Sequence, residues 1–328
     1  MGEEMNRRSR NAGALSLFAT LLAISACGSS NDDDEAGGGG LPTTPPTQID
    51  VLTGEGFKDP LDAVVHHEGR EVYFSASTLD DPALAAVFRV PIEGGTPTPL
   101  HAGAPLAFPS GLVLSCDSAT LWVAEQAPTP DDTESEDGMI YTLSTGGGVP
   151  APFTASGIAV PVGLALSVDC QTLYVTGRTP EGTPAVFTVP AVGGSASILY
   201  SGDPLISPGG VHVDADGIAW VMDHLGAGNE GEGALFSIDP SGKIAPVLGN
   251  LKGGVTMGVS LVAGGITAVI PTINESGKAE LATASTVTGE VTRIPAPGIF
   301  DPGGVRTARN AGVLAITDHD GNAIHIAK

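Results

Sequence analysis

Basic residues are scarce in this chain. Only 14 Lys and Arg stand against 37 Asp and Glu in 328 residues, a formal net charge of −23. Nucleic acid is thereby excluded as a partner, because gripping phosphates takes clustered Lys and Arg. Charge of either sign is thin, at 16%, while hydrophobic residues make up 41%. The chain therefore has the apolar side chains to bury a core and is not intrinsically disordered. No apolar run is long enough to cross about 30 Å of hydrocarbon as a stable anchor. There are three cysteines and no Cys-x-x-Cys pair, no His-Glu-x-x-His and no nucleophile elbow, so none of those motifs points to a chemistry here. What abounds is Gly, with 46 copies, and Pro, with 26. That composition argues against a helical bundle or a coiled coil.

The N-terminus reads as an export signal. Arg7, Arg8 and Arg10 precede a short apolar run from Ala12 to Ala23, and Ile24-Ser25-Ala26-Cys27 follows it. A run this short is cleaved rather than retained. Its ending resembles the lipobox of bacterial lipoproteins, in which the Cys is diacylated and becomes the mature N-terminus. Residues 1–26 are thus the expected signal peptide and Cys27 the lipid site. Residues 27–47, with Asp32-Asp33-Asp34-Glu35, four glycines and Pro42, Pro45 and Pro46, offer no apolar face and read as a flexible linker. The mature chain keeps 11 basic and 35 acidic residues, so an anionic bilayer repels it and the lipid must hold it there. The expected address is the bacterial cell envelope, lipid-anchored. Gly28 after the Cys is compatible with outer-membrane delivery.

From residue 48 onward the sequence repeats, with a Pro-x-Gly step as the marker. It occurs at Pro109-Ser110-Gly111, Pro161-Val162-Gly163, Pro208-Gly209-Gly210 and Pro302-Gly303-Gly304, with degenerate copies at Pro60-Leu61-Asp62 and Thr256-Met257-Gly258. The third positions are 49, 52, 47, 48 and 46 residues apart. Each copy reads as four short strands; in the third these are Leu164–Ser167, Thr172–Thr176, Ala185–Val189 and Ala196–Tyr200. Strands of four to six β-favouring residues between Gly and Pro turns are an all-β signal. Six such copies over residues 48–328 predict a six-bladed β-propeller with four-stranded blades. The sixth copy lacks a fourth strand, and Gln48 to Leu52 lies before the first copy. An N-terminal strand completing the last blade would close the ring, and a monomer is expected.

At the Pro-x-Gly steps, the Asp-Gly-like turns and the Leu-Tyr-Val strand, the chain resembles two related propeller groups. One is the NHL-repeat proteins, whose blades are similar to Pro208 through Asp223; the other is the gluconolactonase/regucalcin-like group. The second resemblance implies a divalent-metal site made from a Glu near the first blade's opening strand and Asn or Asp in the steps. Here Asp62 stands in the Glu's region. The middle step positions are Ser110, Val162, Gly209, Met257 and Gly303, none of them a ligand of that kind, although a hard cation wants several oxygens.

The loops between second and third strands share a face with the steps. They carry Asp80, Asp81, Glu125, Asp131, Asp132, Glu134, Glu136, Asp137, Glu181, Asp223, Glu230, Glu232, Glu275, Asp318 and Asp320. An acidic face over a central channel would concentrate cations or cationic ligands; charge placed on loops for solubility is the other reading. The ligand-binding candidates are Asp62, Glu125, Asp223, His224, Asp318 and His319. If a cofactor is bound it is a divalent cation such as calcium, with Asp62, Asp223 and Asp318 as ligands. The two Asp-His pairs cannot aim both groups at one spot while still on a strand, since neighbours alternate sides. His66-His67 falls in the first turn of blade one, on the opposite face, and reads as exposed. The expected function is a lipid-anchored binding or interaction module with a protein, cationic or small-molecule ligand at the acidic mouth; a metal-dependent lactonase-like hydrolase is the alternative. Cys116 and Cys170 lie in matching turns of adjacent blades, where a disulfide is reachable and two separate buried thiols are the other possibility.

Overall fold

The computed structural model describes residues 46–126, 138–226, 232–252 and 258–328. The lipid-site Cys27, the signal peptide and nearly all of the linker lie outside these residues. So do Asp131, Asp132, Glu134, Glu136, Asp137 and Glu230 of the acidic loops.

Short runs rich in Val, Leu, Phe and Tyr form antiparallel meanders of four strands, and six of them follow one another along the chain. The blades span residues 63–102, 109–153, 160–201, 208–251, 260–295 and 302–327. Alternation along a strand gives each blade two apolar faces, and each face packs against a neighbouring blade. Val64, Tyr73 and Val87 of blade one meet Leu112, Leu121 and Val123 of blade two. The same pattern recurs between every adjacent pair, giving six core clusters around the ring. A ring of six sandwiches is the all-β propeller predicted from the repeat.

Closure is made by the N-terminal strand. Ile49–Thr53 pairs antiparallel with Ala323–Ala327, with Ile49 opposite Ala327 and Val51 opposite His325. The amide of Thr47 donates to the carbonyl of Lys328 at 2.8 Å, and that of Lys328 to Gln48 at 3.0 Å. Leu52 then packs with Ile324 and Ile326 of blade six and with Phe74 and Phe88 of blade one. One short strand therefore supplies both the outer edge of blade six and part of the wall against blade one.

The glycines of the steps have a steric cause. A Cβ on Gly111 would land on the carbonyl oxygen of Val162, and one on Gly163 on that of Gly209. The innermost strands approach backbone to backbone around the axis there, and only Gly leaves the room. Blade one alone places a longer side chain at this position, Asp62, whose carboxylate lies against Gly304. The axis narrows there to a void of about 20 Å³. On the other side of the ring Cys116 and Cys170 are joined as a disulfide, Cα–Cα 6.2 Å, tying the first turn of blade two to that of blade three.

Candidate functional site

Three of the candidate carboxylates occupy equivalent places and have the same job. Glu125, Asp223 and Asp318 each end the second strand of their blade. Each is buried, with 1% exposure for Glu125 and none for the aspartates. Glu125 accepts from the amides of Ala107 (2.8 Å) and Phe108 (2.6 Å). Asp223 accepts from Ile206 (2.7 Å), Ser207 (3.0 Å) and Leu225 (3.0 Å). Asp318 accepts from Phe300 (3.0 Å), Asp301 (2.8 Å) and Gly321 (3.1 Å). In all three blades the carboxylate holds two consecutive amides just before the Pro that opens the innermost strand. Extended backbone entering a strand has no ladder partner for those amides, and a buried N–H must find an acceptor. The acidic side chains expected at the channel mouth are therefore beneath it, fastening the blade entries. The acidic residues that are solvent-exposed on this side include Asp80, Asp81, Glu181, Glu275 and Asp320.

The two histidines beside these aspartates do not join them. His224 and His319 are half-buried and are tied through their own amides to the carbonyls of Ser207 and Asp301. The imidazole that approaches Asp318 belongs to His325, its Nε2 3.6 Å away. Burial pushes the Asp318 carboxyl upward, but the His325 contact and the three amides outweigh it and hold it below the usual carboxylate range.

Asp62 sits on the axis, apart from these three. One of its oxygens accepts from the amide of Leu112 at 2.9 Å. Burial raises its pKa, opposed first by the nearby Arg306 guanidinium. Among the described residues no group of three or more His, Cys, Asp and Glu is placed to share an ion. The residues present do not fit the oxygen-rich divalent site that the gluconolactonase-like resemblance implies. Around Asp62 the constriction is lined by glycines, Ser110, Val162 and Arg306, and a guanidinium there repels a dication.

The cavity with room for a ligand opens at the other end of the axis. It holds about 420 Å³ and is walled by the far ends of the innermost strands and the turns that follow them. The residue two places beyond the step's third position faces the axis in every blade. Those residues are Val64, Val113, Ala165, His212, Ser260 and Arg306, and all but Ser260 line the cavity. Ser260 lies just outside, its Oγ 3.5 Å from His212 Nδ1.

His67, read from sequence as exposed, is 6% exposed and lines this cavity. Its Nε2 bonds the carbonyl of Ser115 at 2.9 Å. Burial, followed by the positive charge of Arg309, lowers its pKa to about 4. His212 is lowered to about 3 by burial and then by Arg306 and Arg309. Both imidazoles are neutral at physiological pH, and the formal positive charge of the cavity resides on the arginines. Arg306, 7% exposed, crosses the axis to the carbonyls of Val211 and Leu164. It thereby links blade six to blades three and four. Arg309 reaches the carbonyls of Leu166 (3.0 Å) and Ser167 (3.1 Å) and the sulfur of Cys116 (2.9 Å). Among the described residues neither arginine forms an ion pair within 4.0 Å.

These features define a six-bladed β-propeller, closed by its N-terminal strand, with a mostly apolar axial cavity that carries two arginines. No protein-family model and no curated protein matches the chain. Solved structures of similar fold include a nidogen/laminin complex, 16% identical, covering 73% of this chain and 84% of that one at a TM-score of 0.56. A Bacteroides thetaiotaomicron protein of unknown function is 13% identical over 89% of this chain and 74% of its own, at 0.61. TolB from Acinetobacter baumannii is 13% identical over 80% of this chain and 65% of its own, at 0.53. At such identities the likeness is one of fold, and function has to be argued from the site.

Proposed function

We propose that this chain is a lipid-tethered β-propeller of the bacterial cell envelope that works by binding, with the axial cavity on the turn side as its ligand seat. The observation that carries this reading is the cavity itself. Its size, about 420 Å³, lies in the range of small-molecule sites, and an apolar wall with a few placed polar groups is their usual composition. The tether rests on the lipobox-like Ile24-Ser25-Ala26-Cys27 and on the linker composition after it. A role in assembly is supported by the similar ring found in a nidogen/laminin complex. The exposed carboxylates of the step side suit that role, since a negative face steers a cationic partner.

Two changes separate the tether from the seat. Replacing Cys27 with Ala is expected to abolish palmitate labelling and leave ligand binding intact. Placing Trp at Val113, a half-buried position on the cavity wall, is expected to keep the label and abolish stabilisation by small amphiphiles in thermal melts. Val168→Trp, at the exposed rim, gives the same obstruction where the fold tolerates bulk. Labelling that persists in Cys27→Ala refutes the tether. Amphiphile stabilisation undiminished in both Trp variants refutes the seat.

A further inference from the structure

A deeply acidic protein has placed two of its 14 basic residues inside one cavity, and their surroundings differ. Arg306 has Asp62 as its electrostatic partner. Among the described residues Arg309 has no such partner. Its terminal nitrogens reach two carbonyls and the disulfide sulfurs. The carboxylate of the lining, Asp214, is engaged by its own turn. It accepts from the amides of Asp216 and Ile218 and from the indole N–H of Trp220 at 2.9 Å. His67 and His212 add no charge. Val113, Leu114, Leu166 and Val213 are apolar members of the same lining.

A part-buried guanidinium without a counter-charge is costly unless an anion joins it. A guanidinium with no ion pair within 4.0 Å among the described residues, in a mostly apolar cavity, matches one negative charge on an apolar body. A phosphate matches it less well, because it brings up to two negative charges to a wall that is mostly apolar. We propose that the cavity binds a small amphipathic monocarboxylate, its head on Arg309 and its hydrocarbon along Val113, Leu114, Leu166 and Val213.

This inference rests on the cavity being the ligand seat, and the test keeps the two claims apart. Octanoate, 1-octanol and inorganic phosphate are titrated calorimetrically into the full chain carrying Cys27→Ala, so that no attached acyl group competes. The same titrations are run on Arg309→Met and Val113→Trp. Octanoate is expected to bind at least about tenfold more tightly than octanol, the factor a charge-assisted contact supplies. Arg309→Met is expected to remove that advantage and leave octanol binding unchanged, which also shows that the cavity has kept its shape. Val113→Trp is expected to remove both. Octanoate and octanol binding alike, with neither sensitive to Arg309→Met but both lost in Val113→Trp, overturns the anion assignment and leaves the seat standing. Binding unaffected by Val113→Trp overturns the seat as well. Phosphate binding more tightly than octanoate, or no binding of octanoate, overturns the carboxylate class.

Discussion

Removing residues 48–56 is expected to lower the melting temperature by ~10 °C or more, whereas removing residues 29–45 leaves it nearly unchanged. The first deletion takes away the outer strand of blade six and with it the pairing along Ala323–Ala327. It also removes Leu52 from a cluster that joins blades six and one. Burying one Leu contributes ~2 kcal/mol, and the lost ladder bonds ~1 kcal/mol each. The total is of order 5 kcal/mol, which at ~2–3 °C per kcal/mol for a domain of this size gives the stated shift. The exposed strand also becomes an edge that pairs with other copies, so aggregation on heating is expected as a second sign. Equal melting temperatures for the two deletions would mean that the ring does not depend on this strand.

The second large effect is expected from the carboxylates that fasten the blade entries. Asp223→Ala strands the amides of Ile206, Ser207 and Leu225, and Asp318→Ala those of Phe300, Asp301 and Gly321. These amides are part-buried, and a donor left without its partner costs up to ~1–3 kcal/mol, so each variant is expected to lose about 2–3 kcal/mol in urea unfolding. Asp320→Ala, at an exposed site in the same loop as Asp318, is expected to fall within about 0.5 kcal/mol of the parent. Acid adds a check of sign. The Asp318 carboxyl is held below its ordinary value in the fold. Its contribution is therefore full above the unfolded-state pKa of about 4 and lost as the pH falls through the lower folded value. Asp318→Asn is expected to flatten this acid limb of the stability curve. If these carboxylates served calcium instead, EDTA would reproduce the loss in the parent protein. The fastening role leaves the parent indifferent to EDTA.

The architecture was legible because its causes are local. Alternating apolar residues between Gly and Pro turns specify the strands, and the steps recur because Gly111 and Gly163 stand where a Cβ meets the next blade's backbone. The missing fourth strand of the last copy pointed to the N-terminal one, found at Ile49–Thr53. Strand starts were less legible. In blade three the innermost strand begins at Val160 rather than Leu164, because a register shift between Pro161 and Leu164 lets the ladder resume after the step.

The site was harder to read, for a physical reason. Carboxylates attract notice as ligands, yet a carboxylate at the end of a strand is equally an acceptor for unpaired amides, and sequence does not distinguish the two. Glu125, Asp223 and Asp318 proved to be acceptors of that kind. The cavity residues carried a fainter signal. The position two beyond each step is apolar in blades one to three, then becomes His212, Ser260 and Arg306. That drift from apolar to polar at one register position marks the axis. His67 was misplaced because a turn between the first two strands of a blade is usually solvated, whereas this one tips its side chain inward to the carbonyl of Ser115.

The most direct measurement is a map of backbone amide shifts in the labelled full chain carrying Cys27→Ala, titrated with octanoate. The expected perturbations cluster at residues 64–67, 113–114, 166–168, 212–215 and 307–310, where the innermost strands turn at the cavity. The amides held by Asp223 and Asp318, at residues 206–207 and 300–301, are expected to stay still. Perturbations confined to those step-side amides, with the cavity silent, would contradict a ligand seat on the turn side of the ring.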